Sequence, residues 1–203
     1  IVESKEYDEQ YHNSGLSNTN EYTVLEDIGG IDHGTYQVVL TLNDPANYKW
    51  ATTDEASVVI EYVISVAVNN WVDAPTIADS WEYESAGDRG YAKPLHGDVK
   101  IEYKLASDDD SMYSETLPTL PGKYAVRFTT TDDNYTILQV VDYFEITKRK
   151  ITVPTQSATE FEYTGNTITS GVEGNAFYTV ADAGAIDVQN GLIATVTLNS
   201  EYY

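Results

Sequence analysis

Asp32-His33-Gly34-Thr35-Tyr36-Gln37-Val38-Val39-Leu40-Thr41-Leu42 is the stretch on which the fold turns. From Gly34 onward it alternates, with Tyr36, Val38 and Leu40 on one face, and so predicts a half-buried β-strand. The spacing Asp32-x-Gly34-x-Tyr36-x-Val38 adds a local device. A tyrosine near the start of such a strand folds back, and its hydroxyl donates to backbone a few residues upstream. Turn-forming residues follow in Asn43-Asp44-Pro45-Ala46-Asn47. Ser57 to Ile64 then predicts a second strand, with Val58, Ile60, Tyr62 and Ile64 in period two.

The same stretch echoes twice. Leu120-x-Gly122-x-Tyr124-x-Val126 repeats the tyrosine device without the aspartate, and Asn47-Tyr48 recurs as Asn134-Tyr135. A stronger repeat appears when the sequence is shifted by 156 positions: Glu6-Tyr7 falls on Glu162-Tyr163 and Ser14-Gly15 on Ser170-Gly171. Tyr22-Thr23-Val24 falls on Tyr178-Thr179-Val180 and Thr41-Leu42-Asn43 on Thr197-Leu198-Asn199, with no gap expected from Glu6 to Asn43. Here the tyrosine device weakens, Asn190 and Leu192 standing at the glycine and tyrosine positions. The middle unit predicts strands at Trp81-Glu82-Tyr83, Val99 to Leu105, Gly122 to Thr130 and Leu138 to Ile146. Lys148-Arg149-Lys150 reads as a solvated boundary, since three adjacent cations do not enter a core.

The predicted plan is three modules, 1-66, 67-148 and 149-203, of which the first and third are one type. A β-like run, Ile151-Thr152-Val153, lies upstream of the position matching Ile1, so the first module is expected to be truncated at its N-terminal strand. The third, reaching Tyr203 directly after the strand matching Gly34 to Leu42, is expected to lack its last strand. Its open edge is therefore a candidate contact for neighbouring repeats or chains.

Composition narrows the class. Seventeen tyrosines, one methionine and a hydrophobic content of 41% fit globular all-β packing. Acidic residues number 33 against 11 basic, a formal net charge of −22 that repels phosphate backbones and anionic lipid heads. Nucleic-acid binding is disfavoured on that ground, and no stretch approaches the length of a membrane span. There is no cysteine, which removes disulfides, thiolate chemistry and cysteine-bound zinc.

The tyrosine device is characteristic of immunoglobulin-like sandwiches, with Val38 and Val126 where antibody domains place a disulfide cysteine. A β-grasp module would also show a Gly-x-Tyr strand and stays open as the alternative. Tyr22-Thr23-Val24, Gly34-Thr35-Tyr36 and Leu42-Asn43-Asp44-x-x-Asn47-Tyr48-Lys49-Trp50 resemble the tandem Ig-like repeats of large Gram-positive (Firmicutes-type) cell-surface adhesin proteins. The middle unit resembles a companion repeat, through Asn70-Trp71, Pro75-x-Ile77, Trp81-x-Tyr83, Gly97-x-Val99, Leu117-Pro118, Gly122-x-Tyr124 and Asn134-Tyr135. It departs at Glu84, where a glycine commonly follows Trp-x-Tyr. The resemblance implies a secreted, extracellular or wall-attached repeat protein with no common ligand and no catalytic residue.

No constellation points to a reaction centre. His12, His33 and His96 lack metal-site spacing, and there is no nucleophile elbow, phosphate loop or dinucleotide fingerprint. Asp108-Asp109-Asp110 and Asp132-Asp133-Asn134 are the best Ca²⁺ candidates, weighed against solvated turns. Asn134-Tyr135-Thr136 is a formal sequon, read as a turn plus core anchor. Trp71, Trp81 and Tyr83 suggest carbohydrate stacking platforms or, on their strand spacing, buried packing. Lys100 or Lys104 would serve an internal isopeptide crosslink only beside an amide and an acid. The expectation is a non-catalytic structural or adhesive segment without cofactor, metal or catalytic residues, its surface ligand a protein or glycan. The alternatives are a carbohydrate-binding accessory module of a secreted glycan-active enzyme and a filament or pilus subunit assembled by strand donation.

Overall fold

A computed structural model describes residues 2–156, 160–187 and 191–201. They are almost entirely β, the one helical element among them being a turn of 3-10 helix, Asp110–Met112. The strands are β1 (Lys5–Glu6), β2 (Tyr22–Ile28), β3 (Gly34–Leu42), β4 (Ser57–Ser65), β5 (Trp71–Thr76) and β6 (Ser80–Glu82). They continue with β7 (Tyr91–Pro94), β8 (Val99–Leu105), β9 (Gly122–Thr130), β10 (Gln139–Thr147), β11 (Tyr178–Ala181) and β12 (Thr195–Leu198). The chain packs as two compact units. One comprises Ile1–Thr76, Gly90–Ile101 and Arg127–Val141; the other comprises Ile77–Arg89, Glu102–Val126 and Asp142–Tyr203.

In the first unit a four-stranded sheet has the order β1-β4-β3-β2. β3 and β4 form an unbroken antiparallel ladder from Gly34↔Ile64 to Thr41↔Ser57. The short β1 runs parallel to the end of β4. The alternating face predicted for β3 is the buried one, with its centre moved toward the strand's end: Val38, Leu40 and Leu42 are buried, while Tyr36 is half-buried. Tyr62 and Ile64 of β4 complete that core. This unit also holds the antiparallel pair β5–β7. Beside it Gly90 takes φ +74°, where a Cβ would stand 2.8 Å from the Phe128 ring.

A second sheet repeats the plan, in the order β6-β10-β9-β8 with β6 parallel to the end of β10. Its strands β8, β9 and β10 run through both units. The predicted bounds of β8 and β9 agree with the structure, β10 is displaced by one residue, and β6 covers Ser80–Glu82 and leaves Tyr83 just beyond it.

The 156-residue repeat survives at the level of individual hydrogen bonds. Tyr22↔Leu42, Thr23↔Thr41 and Val24↔Leu40 in the first copy become Tyr178↔Leu198, Thr179↔Thr197 and Val180↔Val196 in the third. The Asn43 amide donates to the Thr19 and Asn20 carbonyls, and the Asn199 amide donates to those of Asn175 and Ala176. Gly15 and Gly171 share a positive φ, 71° and 70°. The ungapped register from Glu6 to Asn43 is, however, interrupted. β2 carries a bulge between Val24 and Glu26 that β11 lacks. Asp27 therefore corresponds to Asp182, and the bridge His12↔Gly30 to Ile168↔Ala185.

One further expectation is revised. Ile151-Thr152-Val153 forms no strand. Among the described residues the third module has only the pair β11–β12, and Ile1, Asn190 and Tyr203 lie outside them. No helix among the described residues is long and apolar enough to cross a membrane.

Candidate functional site

A concavity lined by aromatic side chains lies in the second unit, beside β6. Trp81 stacks on Phe144 of β10 at 4.7 Å between centroids and 15° between planes. Phe144 in turn stacks on Tyr124 at 5.4 Å and meets Tyr103 edge-on at 6.1 Å. The indole therefore ends an aromatic column. Burial of Phe144, Tyr124 and Tyr103 fixes the ring's pose without any ligand. Beyond it a cavity of about 330 Å³ is lined by Trp81, Tyr83, Glu84, Ser85, Gly87 and residues 117–120. Gly87 sets how closely the loop approaches: a Cβ there would lie 3.2 Å from both the indole and the Leu117 side chain.

Glu84 gives this groove its charge. It sits at φ 62°, in the left-handed region that glycine tolerates and other residues enter at a cost. Its carboxylate accepts a 2.9 Å bond from Arg149, whose guanidinium also lies 4.9 Å from the Phe177 ring centroid. Of the predicted boundary cations, Arg149 is thus half-buried and engaged, while Lys148 and Lys150 are exposed. Trp71 does not line the groove; it lies on β5 in the first unit, opposite Pro94.

The two acidic runs are engaged by the protein itself. Lys104 buries its stem and directs its ammonium to the Asp108 carbonyl and to the Asp110 carboxylate at 3.2 Å, 5.3 Å from the Tyr113 ring centroid. A lysine side chain thereby supplies the cation at the Asp108–Asp110 loop. Lys100 stands exposed on the same strand. In the other run, Asn134 accepts a bond from the His33 backbone N–H at 2.8 Å and donates to Asp32 at 3.1 Å. Its neighbour Tyr135 is buried, parallel to His96 at 3.9 Å and edge-on to Tyr7 at 5.2 Å, with its hydroxyl donating to Glu9.

The sequon asparagine is therefore the hinge pin of a joint within the first unit. The loop at residues 132–135 holds residues 7–9 and 32–33, and Ala67 bridges to Tyr135. The matching Asn47-Tyr48 makes a turn but no core anchor, since Tyr48 is exposed. Burial, followed by the Glu9 carboxylate, raises the Tyr135 pKa above its ordinary value. The third histidine, His12, bonds Asp8 at 2.8 Å, and that bond, after the Gln10 N–H, lowers the Asp8 pKa. Among the described residues no three histidine or carboxylate side chains group to hold a metal ion.

Several organising residues escape a sequence reading. Ser14 is buried and donates from both backbone and hydroxyl to Asp27; Ser170 does the same to Asp182, whose pKa those bonds lower. The signal was present in the repeated Ser-Gly, but its partner is displaced by the bulge. Gly30 makes room for Tyr36, because a Cβ there would lie 2.1 Å from the Tyr36 hydroxyl and 2.4 Å from its ring. Its counterpart Ala185 carries that Cβ in the copy where Leu192 has replaced the tyrosine. No protein-family model matches the chain, and neither a curated protein nor a solved structure matches it.

Proposed function

We propose that this chain is a non-catalytic structural and adhesive segment of a bacterial cell-surface repeat protein, with tandem Ig-like β-sandwich modules that space or present a binding region. The observation that carries the reading is the recurrence of one turn and of the three ladder pairs beside it in the first and third copies, Tyr22–Val24 and Tyr178–Val180. A reaction centre needs one site; a spacer gains from copies of a whole unit. The sandwich assignment draws support from a short strand parallel to the last strand in both four-stranded sheets. It also draws on two tyrosine hydroxyls that each donate to a carbonyl four residues upstream, Tyr36 to Asp32 and Tyr124 to Leu120. The acidic surface suits an extracellular protein held at high local density.

The test is surface display. One, two or three copies of the chain are placed between a wall anchor and an epitope, and antibody labelling of intact cells is measured. Labelling rises with copy number if the segment is a spacer; labelling independent of copy number refutes it. A second reading, a carbohydrate-binding accessory module, is favoured by the Trp81–Tyr83 groove alone, where an aromatic face and a carboxylate adjoin. Binding on a glycan array that disappears in both Tyr83→Ala and Glu84→Ala, with the circular dichroism unchanged, would promote it over the spacer.

A further inference from the structure

In the first copy of the repeat, the edge of β3 opposite β2 is occupied by β4 along its whole length. Trp50 places its ring 5.9 Å from Tyr22 and bonds the Ala56 carbonyl just ahead of that strand. Leu40 and Leu42 are buried. In the third copy the equivalent ladder keeps its register, yet β12 is exposed throughout and, among the described residues, pairs with β11 alone. The counterparts of Tyr22, Leu40 and Leu42 are Tyr178, Val196 and Leu198. They line an apolar cavity of about 630 Å³ together with residues 148–154.

We propose that the free edge of β12 and this cavity together accept one extended segment with the pattern of Trp50–Ser65, docked as β4 docks on β3. The segment's strand satisfies the edge amides and carbonyls, and its leading tryptophan enters the cavity beside Tyr178. The register follows from the first copy. Thr195, Val196 and Thr197 stand where Val39, Leu40 and Thr41 face Val59, Val58 and Ser57. Charge agrees with shape, since Trp50–Ser65 carries Asp54, Glu55 and Glu61 and no basic residue, while Lys148 and Lys150 line the cavity. The chain's own β4 is committed to β3, so the occupant is a further copy of that segment. The inference rests on the tandem-repeat reading and adds to it the chemistry of the occupant.

The experiment titrates a synthetic peptide of residues 47–65 into the 203-residue chain and follows amide hydrogen exchange. Exchange at Thr195–Leu198 slows by about tenfold or more at saturation, since paired edge amides open only with the ladder. A Trp50→Ala peptide binds about tenfold more weakly, the aromatic contact being lost. An Ile60→Pro peptide gives no protection, because proline cannot donate to a ladder. Fusing residues 44–65 after Tyr203 gives the same protection without added peptide. Exchange unchanged in both formats, or slowed equally by a scrambled peptide, overturns the proposal. Protection that instead grows with protein concentration alone also overturns it, by making a second copy the occupant and supporting the filament reading. Failure here with display labelling still rising per copy discards the occupant and keeps the spacer.

Discussion

At the scale of single residues, two tyrosines do the same job in different surroundings. The Tyr36 and Tyr124 hydroxyls each donate at 2.8 Å to a carbonyl four residues upstream, but Tyr124 is buried against Phe144 and Tyr36 only half-buried against Gly30. Tyr→Phe at either position is expected to cost about 1 kcal/mol in urea denaturation, with the larger loss at Tyr124, where the abandoned carbonyl has less access to water. Equal stability of both variants and the wild type would remove the corner from the fold's energetics. Glu84 presents the opposite case, a residue whose backbone is unfavourable. Glu84→Gly relieves a left-handed strain of about 1 kcal/mol and removes an exposed ion pair worth less than that. A small rise in the denaturation midpoint is therefore expected. A fall would mean that the Arg149 contact outweighs the strain and that the groove depends on it.

Elements of this chain were legible where alternation was strict and both neighbours were β. The bounds of β3 and β9 follow from period-two faces whose buried members include Val38, Leu40, Val126 and Phe128, whereas β8 buries the adjacent Glu102 and Tyr103. The short strands were not legible: β5 and β7 pair irregularly, with register shifts at Trp71/Asp73 and Asp73/Thr76, so neither shows a regular face. Nor could a sequence alignment reveal the bulge in β2, because the two copies regain step before Thr41 and the displaced Asp27 carries no local mark. The candidate groove was half legible. Trp81 and Tyr83 were visible as aromatics, but Gly87 and residues 117–120 reach them only through the fold. The bulge itself yields a test. Leu25 is 61% exposed and sits where β11 has no extra residue. Deleting Leu25 should therefore convert the spacing of the first copy into that of the third, preserve Tyr22↔Leu42 and Asp27–Ser14, and cost about 1 kcal/mol or less. Loss of the Val38 and Leu40 core signals in the deletion variant would show that the bulge sets the twist of the sheet.

At the scale of the whole molecule, the proposed spacer role would require stiff joints, and the contacts that tie residues 7–9, 32–33 and 67 to the 132–135 loop in the first unit centre on one side chain. Tyr135 combines a parallel ring contact with His96, an edge contact with Tyr7, a backbone bridge to Ala67 and a hydroxyl bond to Glu9. Removing the ring leaves those partners facing a void. Tyr135→Ala is accordingly expected to lower the melting temperature by about 10 °C and to open the segment around residues 66–69 to proteolysis. Tyr135→Phe retains the ring and loses only the bond to Glu9. The two variants also separate packing from titration. Burial first, and the Glu9 carboxylate next, raise the pKa of the Tyr135 phenol, so the fold favours its neutral form. That contribution is fully present below the ordinary tyrosine value of about 10 and is lost as pH rises through the folded value. Burial likewise raises Tyr62 and Tyr103, so the wild type should lose stability on the alkaline side in any case. Tyr135→Phe should lose less between pH 9 and 11, values chosen to bracket about pH 10. An identical alkaline slope in wild type and Tyr135→Phe would place the Tyr135 hydroxyl in water and leave the ring stack alone to hold the joint.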